Sequence, residues 1–384
     1  MALLSSDADE ATRQLARLDG EALAIVSAIT AQHRLGPLLH HLHAANGRVP
    51  EPLAESWRAA YRASAIAAMA CRAELDRTCS VLEAAGMRPI ALKGAWLAWQ
   101  AYPDPALRPM RDIDLLLAPH EVAAAQDLLV AQGYVADPAE LSLEDMLRLD
   151  KHLPGLTSPR GVRVELHHRL WEVDGRMDHR APRDIAGDDP VVRTMRVGEL
   201  RFLAPQDTLA HLIIHAVYDH RLDCGPLLFA DIAWLLHASP IDWAEFWHRA
   251  EQEGWQRGAR LVLELACRQA PELPVWFPPE QPPAPRDLLA AAPDLLLQDL
   301  ETRKSAGVVA TARSRGLAGL WRRLTARRAG ADHDDAVARD LATEGGFLGW
   351  ARSRLLRSTR QLSNRDVRRQ ASNLASLSRW LDLT

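Results

Sequence analysis

The stretch RPMRDIDLLLA, residues 108–118, sets two aspartates, Asp112 and Asp114, at the mouth of an otherwise apolar run. Read as a β-strand, DIDLLLA (112–118) points residues two apart the same way, so both carboxylates share one face. Ile113, Leu115 and Leu117 then take the other face and enter a core. Like charges this close repel unless a proton or a cation lies between them. A D-x-D at a strand start also fits a solvated edge or a plain turn, so its surroundings decide.

Upstream, RPIALK (88–93) reads as a short apolar strand, Gly94 opens a helix through AWLAWQAY, and the prolines of YPDPALRP (102–109) make a loop. Downstream, PHEVAAAQDLLVAQG (119–133) predicts a helix with Pro119 early in its first turn and Gly133 at its end. GVRVELHH (161–168) alternates, with Val162, Val164 and Leu166 on one face and Arg163, Glu165 and His167 on the other. A hairpin, VVRTMRVGELRFLA, follows with its turn near Gly198.

Helical spacing fills both flanks. Residues 8–85 predict three or four amphipathic helices closed by Gly86. Beyond Pro205 come PQDTLAHLIIHAVYDH, CGPLLFADIAWLLHAS and IDWAEFWHRAEQEG, the last capped by Asp242. Seven prolines between 271 and 285 exclude a helix or a central strand and predict a linker or an extended wrap. No repeat of fixed period is present. The fold class is therefore α+β, a small mixed β-sheet flanked by N-terminal and C-terminal helical regions. The expected divisions are an N-terminal helical region 1–86, a catalytic core 87–204, a helical domain 205–270 closing a cleft, a Pro-rich linker 271–285 and a basic helical region 286–384.

Composition narrows the function. The chain of 384 residues is 48% apolar and 25% charged, enough to bury a sizeable core. A formal net charge of −4 argues against a general or sequence-specific nucleic-acid binder. Residues 286–384 hold 18 Lys/Arg against 11 Asp/Glu, and 302–331 carries eight cations with no acid. That stretch reads as a solvated helix pair before it reads as a surface for an anionic partner. Four cysteines without CxxC spacing suit neither a zinc site nor a disulfide framework, and a reducing cytoplasm is the expected setting. The N-terminus lacks a signal-peptide pattern, and no run nears the ~20 apolar residues of a transmembrane span.

A divalent cation relieves the repulsion at Asp112 and Asp114, and oxygen-rich sites suit magnesium or manganese. Glu165, on the polar face of its own strand, is the natural third carboxylate. Lys93 and Gly94 stand where a helix begins, a place that attracts phosphate. Arg108 and Arg111 precede the carboxylates, and arginine suits phosphate oxygens. His167 shares a face with Glu165 and is placed to touch substrate or a metal-bound phosphate, while His168 points the opposite way and reads as a packed or capping residue.

The segment ALKGAWLAWQAYPDPALRPMRDIDLLLAPHE resembles an uncharacterised bacterial nucleotidyltransferase family with a Lys-Gly in its first motif, within the DNA polymerase beta-type superfamily. The similarity runs on through VELHHRLW and LAPQDTLAHLIIHAVYDHRLDCGPLLFADIAWLL, over roughly residues 85–265. It implies that Gly94 cradles nucleotide phosphates, that Asp112 and Asp114 are the metal-binding pair and that Glu165 is the third carboxylate. Two departures stand out. The superfamily's Gly-Ser is here Lys93-Gly94-Ala95, with Lys93 as the replacement phosphate contact, and Glu165 stands where an aspartate is usual.

The resemblance implies two Mg2+ (or Mn2+) ions, about 3.5–4 Å apart, and an NTP such as ATP as donor. A nucleoside monophosphate would pass to a hydroxyl or phosphate of a small molecule, peptide or protein, with pyrophosphate released. A sugar-nucleotide donor in natural-product or polysaccharide tailoring, and a non-catalytic antitoxin-like or regulatory module, are the alternatives. Two further features stay open. His211 and His215 share a helix face without an H-E-x-x-H pattern, which favours a structural or substrate-contacting role over zinc. Asp231, inside an apolar helix, needs a partner, and His215, Arg221 and a nucleotide all qualify.

Overall fold

The computed structural model describes residues 8–43, 49–139, 142–172, 180–298 and 364–382, with isolated positions between 303 and 316. Among these residues, four helices precede the first strand: α1 (Ala8–Leu15), α2 (Gly20–Gln32), α3 (Gly36–His43) and α4 (Glu51–Ala84). Asp19 caps α2 by accepting from the Ala22 amide at 2.8 Å. Gly86, at φ 84°, takes the left-handed conformation that ends α4. The 34 residues of α4 serve two cores. Near its start, Leu53 and Trp57 pack with Leu35, Leu38, Leu39 and Leu227 in a small satellite cluster. Near its end, Leu75, Cys79 and Leu82 join the main core under the sheet.

Among the described residues, seven strands form one mixed sheet: β1 (Ile90–Ala91), β2 (Asp112–Leu116), β3 (Val135–Ala136), β4 (Leu156–Thr157), β5 (Arg163–His167), β6 (Thr194–Val197) and β7 (Leu200–Leu203). Their spatial order is β3-β4-β5-β2-β1-β7-β6. β2 runs parallel to β5 and β1 parallel to β7, while the other neighbours are antiparallel. One face of β2 and β5 delivers Ile113, Leu115, Val164 and Leu166 to the core, each at most 1% exposed. The alternation read from the sequence thus becomes a buried face and a cleft face.

Helix α5 (Gly94–Trp96) is a single turn after β1, and helices α6 (Val122–Ala131) and α7 (Leu143–Leu149) connect strands. Then α8 (Pro205–Ile214) and α9 (Leu227–Ala238) wall the cleft, with α10 (Trp243–Glu253), α11 (Gln256–Gln269), α12 (Arg286–Leu296) and α13 (Arg365–Asp382) packed behind. Pro119 falls in the turn before α6, which begins at Val122 and not at the proline. The short strands β3 and β4 and helix α7 have no counterpart in the periodicity, because two-residue strands carry no pattern.

From 271 to 285 the chain has no helix or strand yet is tied down. Trp243 Nε1 donates to the Pro274 carbonyl at 2.9 Å, and Trp247 Nε1 to that of Trp276 at 2.8 Å. It is an extended wrap. Most of the basic stretch 302–331 lies outside the described residues. No helix among the described residues is long and apolar enough to cross a membrane.

Candidate active site

The parallel register of β2 and β5 sets Asp114 directly beside Glu165, Asp112 beside Arg163 and Leu116 beside His167. Side chains paired in this way share a face. Ligand atoms of Asp114, Glu165 and His167 all lie within 4.8 Å of one another. His167 Nε2 is 3.3 Å from Asp114 Oδ1 and 3.9 Å from Glu165 Oε2. Asp112 adjoins this trio without belonging to it.

The two aspartates titrate in opposite directions. Burial, with the charges of Asp114 and Glu165, pushes the Asp112 carboxyl up to about 6. Burial acts on Asp114 in the same sense, but Lys93 and the His167 hydrogen bond outweigh it and hold that carboxyl well below the usual range. Distance explains the difference, since Lys93 Nζ sits 3.4 Å from Asp114 Oδ2.

Lys93 is held unusually. Its backbone has φ 37° and ψ −105°, a conformation costly for a side-chain-bearing residue. Nζ reaches Asp114 on one side and His215 Nδ1, also at 3.4 Å, on the other. The helix expected from Gly94 is one α-turn, Gly94–Trp96, running straight into a π-turn, Leu97–Ala101. So short a turn aims little dipole at a phosphate.

Gly94 is required for a second reason. A Cβ there would come within 2.5 Å of Arg108 Nη1, and that side chain cannot give way. Arg108 donates Nε to Asp231 Oδ1 at 2.8 Å and Nη2 to Oδ2 at 2.9 Å, while Tyr102 adds its hydroxyl to Oδ1 at 2.7 Å. Asp231 therefore finds its partners in Arg108 and Tyr102. Only the Nη1 edge of Arg108 is left over for the cleft. Arg111 is exposed on the cleft wall.

A second charged group faces the first across the cleft, and sequence reasoning missed it. Lys151 Nζ bonds Asp219 Oδ2 at 2.8 Å and lies 3.7 Å from Glu172. His215 Nδ1 stands 3.4 Å from the same Asp219 oxygen, and its ring centroid is 4.2 Å from that of His220. His152 approaches Glu165 at 3.8 Å and packs against His167 with tilted rings, their centroids 4.9 Å apart. The positioning device is a π-turn, His215–Asp219, that ends α8 and shifts its helical phase. Lys151 and His152 sit in an aperiodic connection after α7, where sequence carries no signal.

His211 is fully packed, with both ring nitrogens lacking partners, and burial pushes its pKa well below the ordinary value. Among the described residues it joins no group of metal-ligating atoms. His168, expected on the packed side, is 1% exposed, and burial brings it down to about 4.

Lys93, Asp112, Asp114, Lys151, Glu165 and Asp219 line one cleft of about 510 Å³ between the sheet and helices α8 and α9. Asp112, Asp114 and Glu165 stand on its floor, and its walls mix Lys93, Lys151, Arg111 and His215 with the paired acids Glu172, Asp219 and Asp231. Such a lining suits a polyanion carried with a divalent cation. Residues 24–269 match the model of a family described as uncharacterised nucleotidyltransferase. No curated protein and no solved structure matches the chain.

Proposed function

The chain belongs to this uncharacterised nucleotidyltransferase family and is a transferase, and on that premise we propose that it moves a nucleoside monophosphate from an NTP to a hydroxyl or phosphate acceptor. The observation that carries the proposal is the Asp114–Glu165 register, with His167 completing a cluster of ligand atoms within 4.8 Å.

The residues fit a divalent cation of the magnesium or manganese class. Asp112, Asp114 and Glu165 offer the hard oxygen donors such ions take. Burial and, after it, the charges of Asp114 and Glu165 push Asp112 up, and a cation would relieve that repulsion. When bound, a pair of such ions would neutralise phosphate charge and lower the pKa of an acceptor hydroxyl.

The protein's own residues do the rest. His167 fixes Asp114 by hydrogen bonding to Oδ1. Lys93, pinned between Asp114 and His215, presents its ammonium to the donor phosphates, with Arg111 and the Nη1 edge of Arg108 beside it. Gly94 keeps the backbone low so that these groups can close in. The acceptor oxygen attacks the α-phosphorus as the bond to the bridging oxygen breaks. The pyrophosphate that leaves takes its negative charge past these cations, and Glu165 can receive the acceptor's proton. Catalysis of this kind is mostly positioning and charge neutralisation.

The test incubates the protein with magnesium, each NTP and, in parallel, sugar nucleotides, together with pools of small molecules, peptides and proteins. Pyrophosphate release and a nucleoside-monophosphate mass increment on an acceptor are expected, and both should vanish in Asp112→Asn and Asp114→Asn. Transfer that persists in either variant refutes the assignment of the pair. A sugar-mass increment would shift the donor class.

A further inference from the structure

A second cavity opens beside the cleft and differs from it in kind. It measures about 380 Å³ and lies between α2–α3, the first half of α4 and the Pro109–Met110 turn. Trp57, Ala60, Ala63, Ala67, Pro37 and Met110 make it mostly apolar. It meets the cleft at Arg34, Pro109 and Met110, which line both.

Arg34 stands at that junction in a strained left-handed backbone, φ 54°, which a side-chain-bearing residue adopts at a cost. Its buried Nε has no hydrogen-bond partner, and neither has Ser64 Oγ in the pocket wall, on a residue only 6% exposed. Burial and the nearby Arg111 and Arg108 press the Arg34 guanidinium down to about 10, and Asp112 and Asp231 offset only part of this. A buried donor without an acceptor, among cations that repel it, is a costly arrangement until an anion arrives.

We propose that this pocket binds the acceptor, and that the acceptor is an anionic amphiphile whose apolar body fills the space along α4 and whose carboxylate or phosphate head is held by Arg34 at the mouth of the cleft. The proposal rests on the nucleotidyl-transfer reading of the neighbouring cleft. The pocket lining selects the body by burial of apolar surface, and the guanidinium fork selects the head. Substrates with a cationic head meet three arginines and are rejected.

Calorimetric titration with four eight-carbon probes tests it: octanoate, octyl phosphate, octanol and octylamine. Octanoate or octyl phosphate, or both, should bind at least about tenfold more tightly than octanol, the worth of one charge-assisted hydrogen bond. Octylamine should not bind. Arg34→Gln should remove that tenfold preference and leave octanol unchanged. Ala63→Phe, a substitution at an exposed helix position that projects into the pocket, should abolish binding of every probe. Anionic probes that bind no better than octanol, or that ignore Arg34→Gln, overturn the proposal. So does displacement of the probe by magnesium-nucleotide together with loss of nucleotide affinity in Ala63→Phe, since the pocket would then belong to the donor's base. The four probe titrations themselves, apart from that displacement control, use neither nucleotide nor magnesium. A protein that binds octanoate and transfers nothing therefore fails only the transfer reading.

Discussion

Asp112 and Asp114 look interchangeable in sequence, yet their surroundings make them opposites. Asp112 is repelled by Asp114 and Glu165, so without a cation Asp112→Asn should leave the fold as stable or slightly more so. Asp114 holds Lys93 at 3.4 Å and His167 at 3.3 Å, so Asp114→Asn should cost about 1–3 kcal/mol. Melting curves with and without magnesium separate the two. Wild type should gain stability by mass action, and both variants should lose that gain. Lys93 allows a finer comparison. Lys93→Ala and Lys93→Gly both remove the ammonium and should weaken nucleotide binding about tenfold or more. Only glycine adopts φ 37° without strain, so the Gly variant should melt higher than the Ala variant by the equivalent of about 1 kcal/mol. Equal melting points would show that the backbone there is unstrained. The carboxylate face was legible because a period of two is local. The pairing of Arg108 with Asp231 was not legible, because the two lie 123 positions apart, a distance across which sequence shows no contact.

At the scale of elements, the same division holds. β2, β5, the β6–β7 hairpin and α8 to α10 follow from periodicity and caps, whereas the π-turn at His215–Asp219 follows from packing against Lys93 and Lys151. That turn carries a pH signature. Burial holds His220 at about 3, with Lys151, Lys93 and Arg303 acting in the same sense and Asp219 against them. Its ring also faces His215. A histidine whose folded pKa lies below its unfolded value stabilises fully above about 6.5, and the contribution is lost as pH falls toward the folded pKa. Wild-type melting temperature should therefore fall as pH drops from 7 to 5. His220→Asn should flatten that fall, by up to about 1–2 kcal/mol at pH 5. Parallel slopes in the two proteins would remove His220 from the acid response.

Across the whole molecule, the division into regions 1–86, 87–204, 205–270, 271–285 and 286–384 remains a proposal about roles. The main core draws side chains from Cys71 to Leu381, and α4 belongs to it as much as the sheet does. A fragment of residues 87–204 expressed alone is therefore expected to lack fixed tertiary structure, read as collapsed near-UV dichroism and free proteolysis. A folded, protease-resistant fragment would show that the sheet stands without its helices.

The two parallel pairings bear on how the protein is made. Ala91 pairs with Phe202 across the sheet, and Asp114 meets Glu165, so no short segment contains the site. Synthesis proceeds from the N-terminus, and long-range pairings form only once both partners exist. β1 must wait, beside an unfinished sheet edge, until β7 has been translated. Lys93 lacks its His215 contact until later still. The emerging chain thus carries its carboxylate strand long before it carries a complete site, and chains truncated before Asp219 should bind no nucleotide.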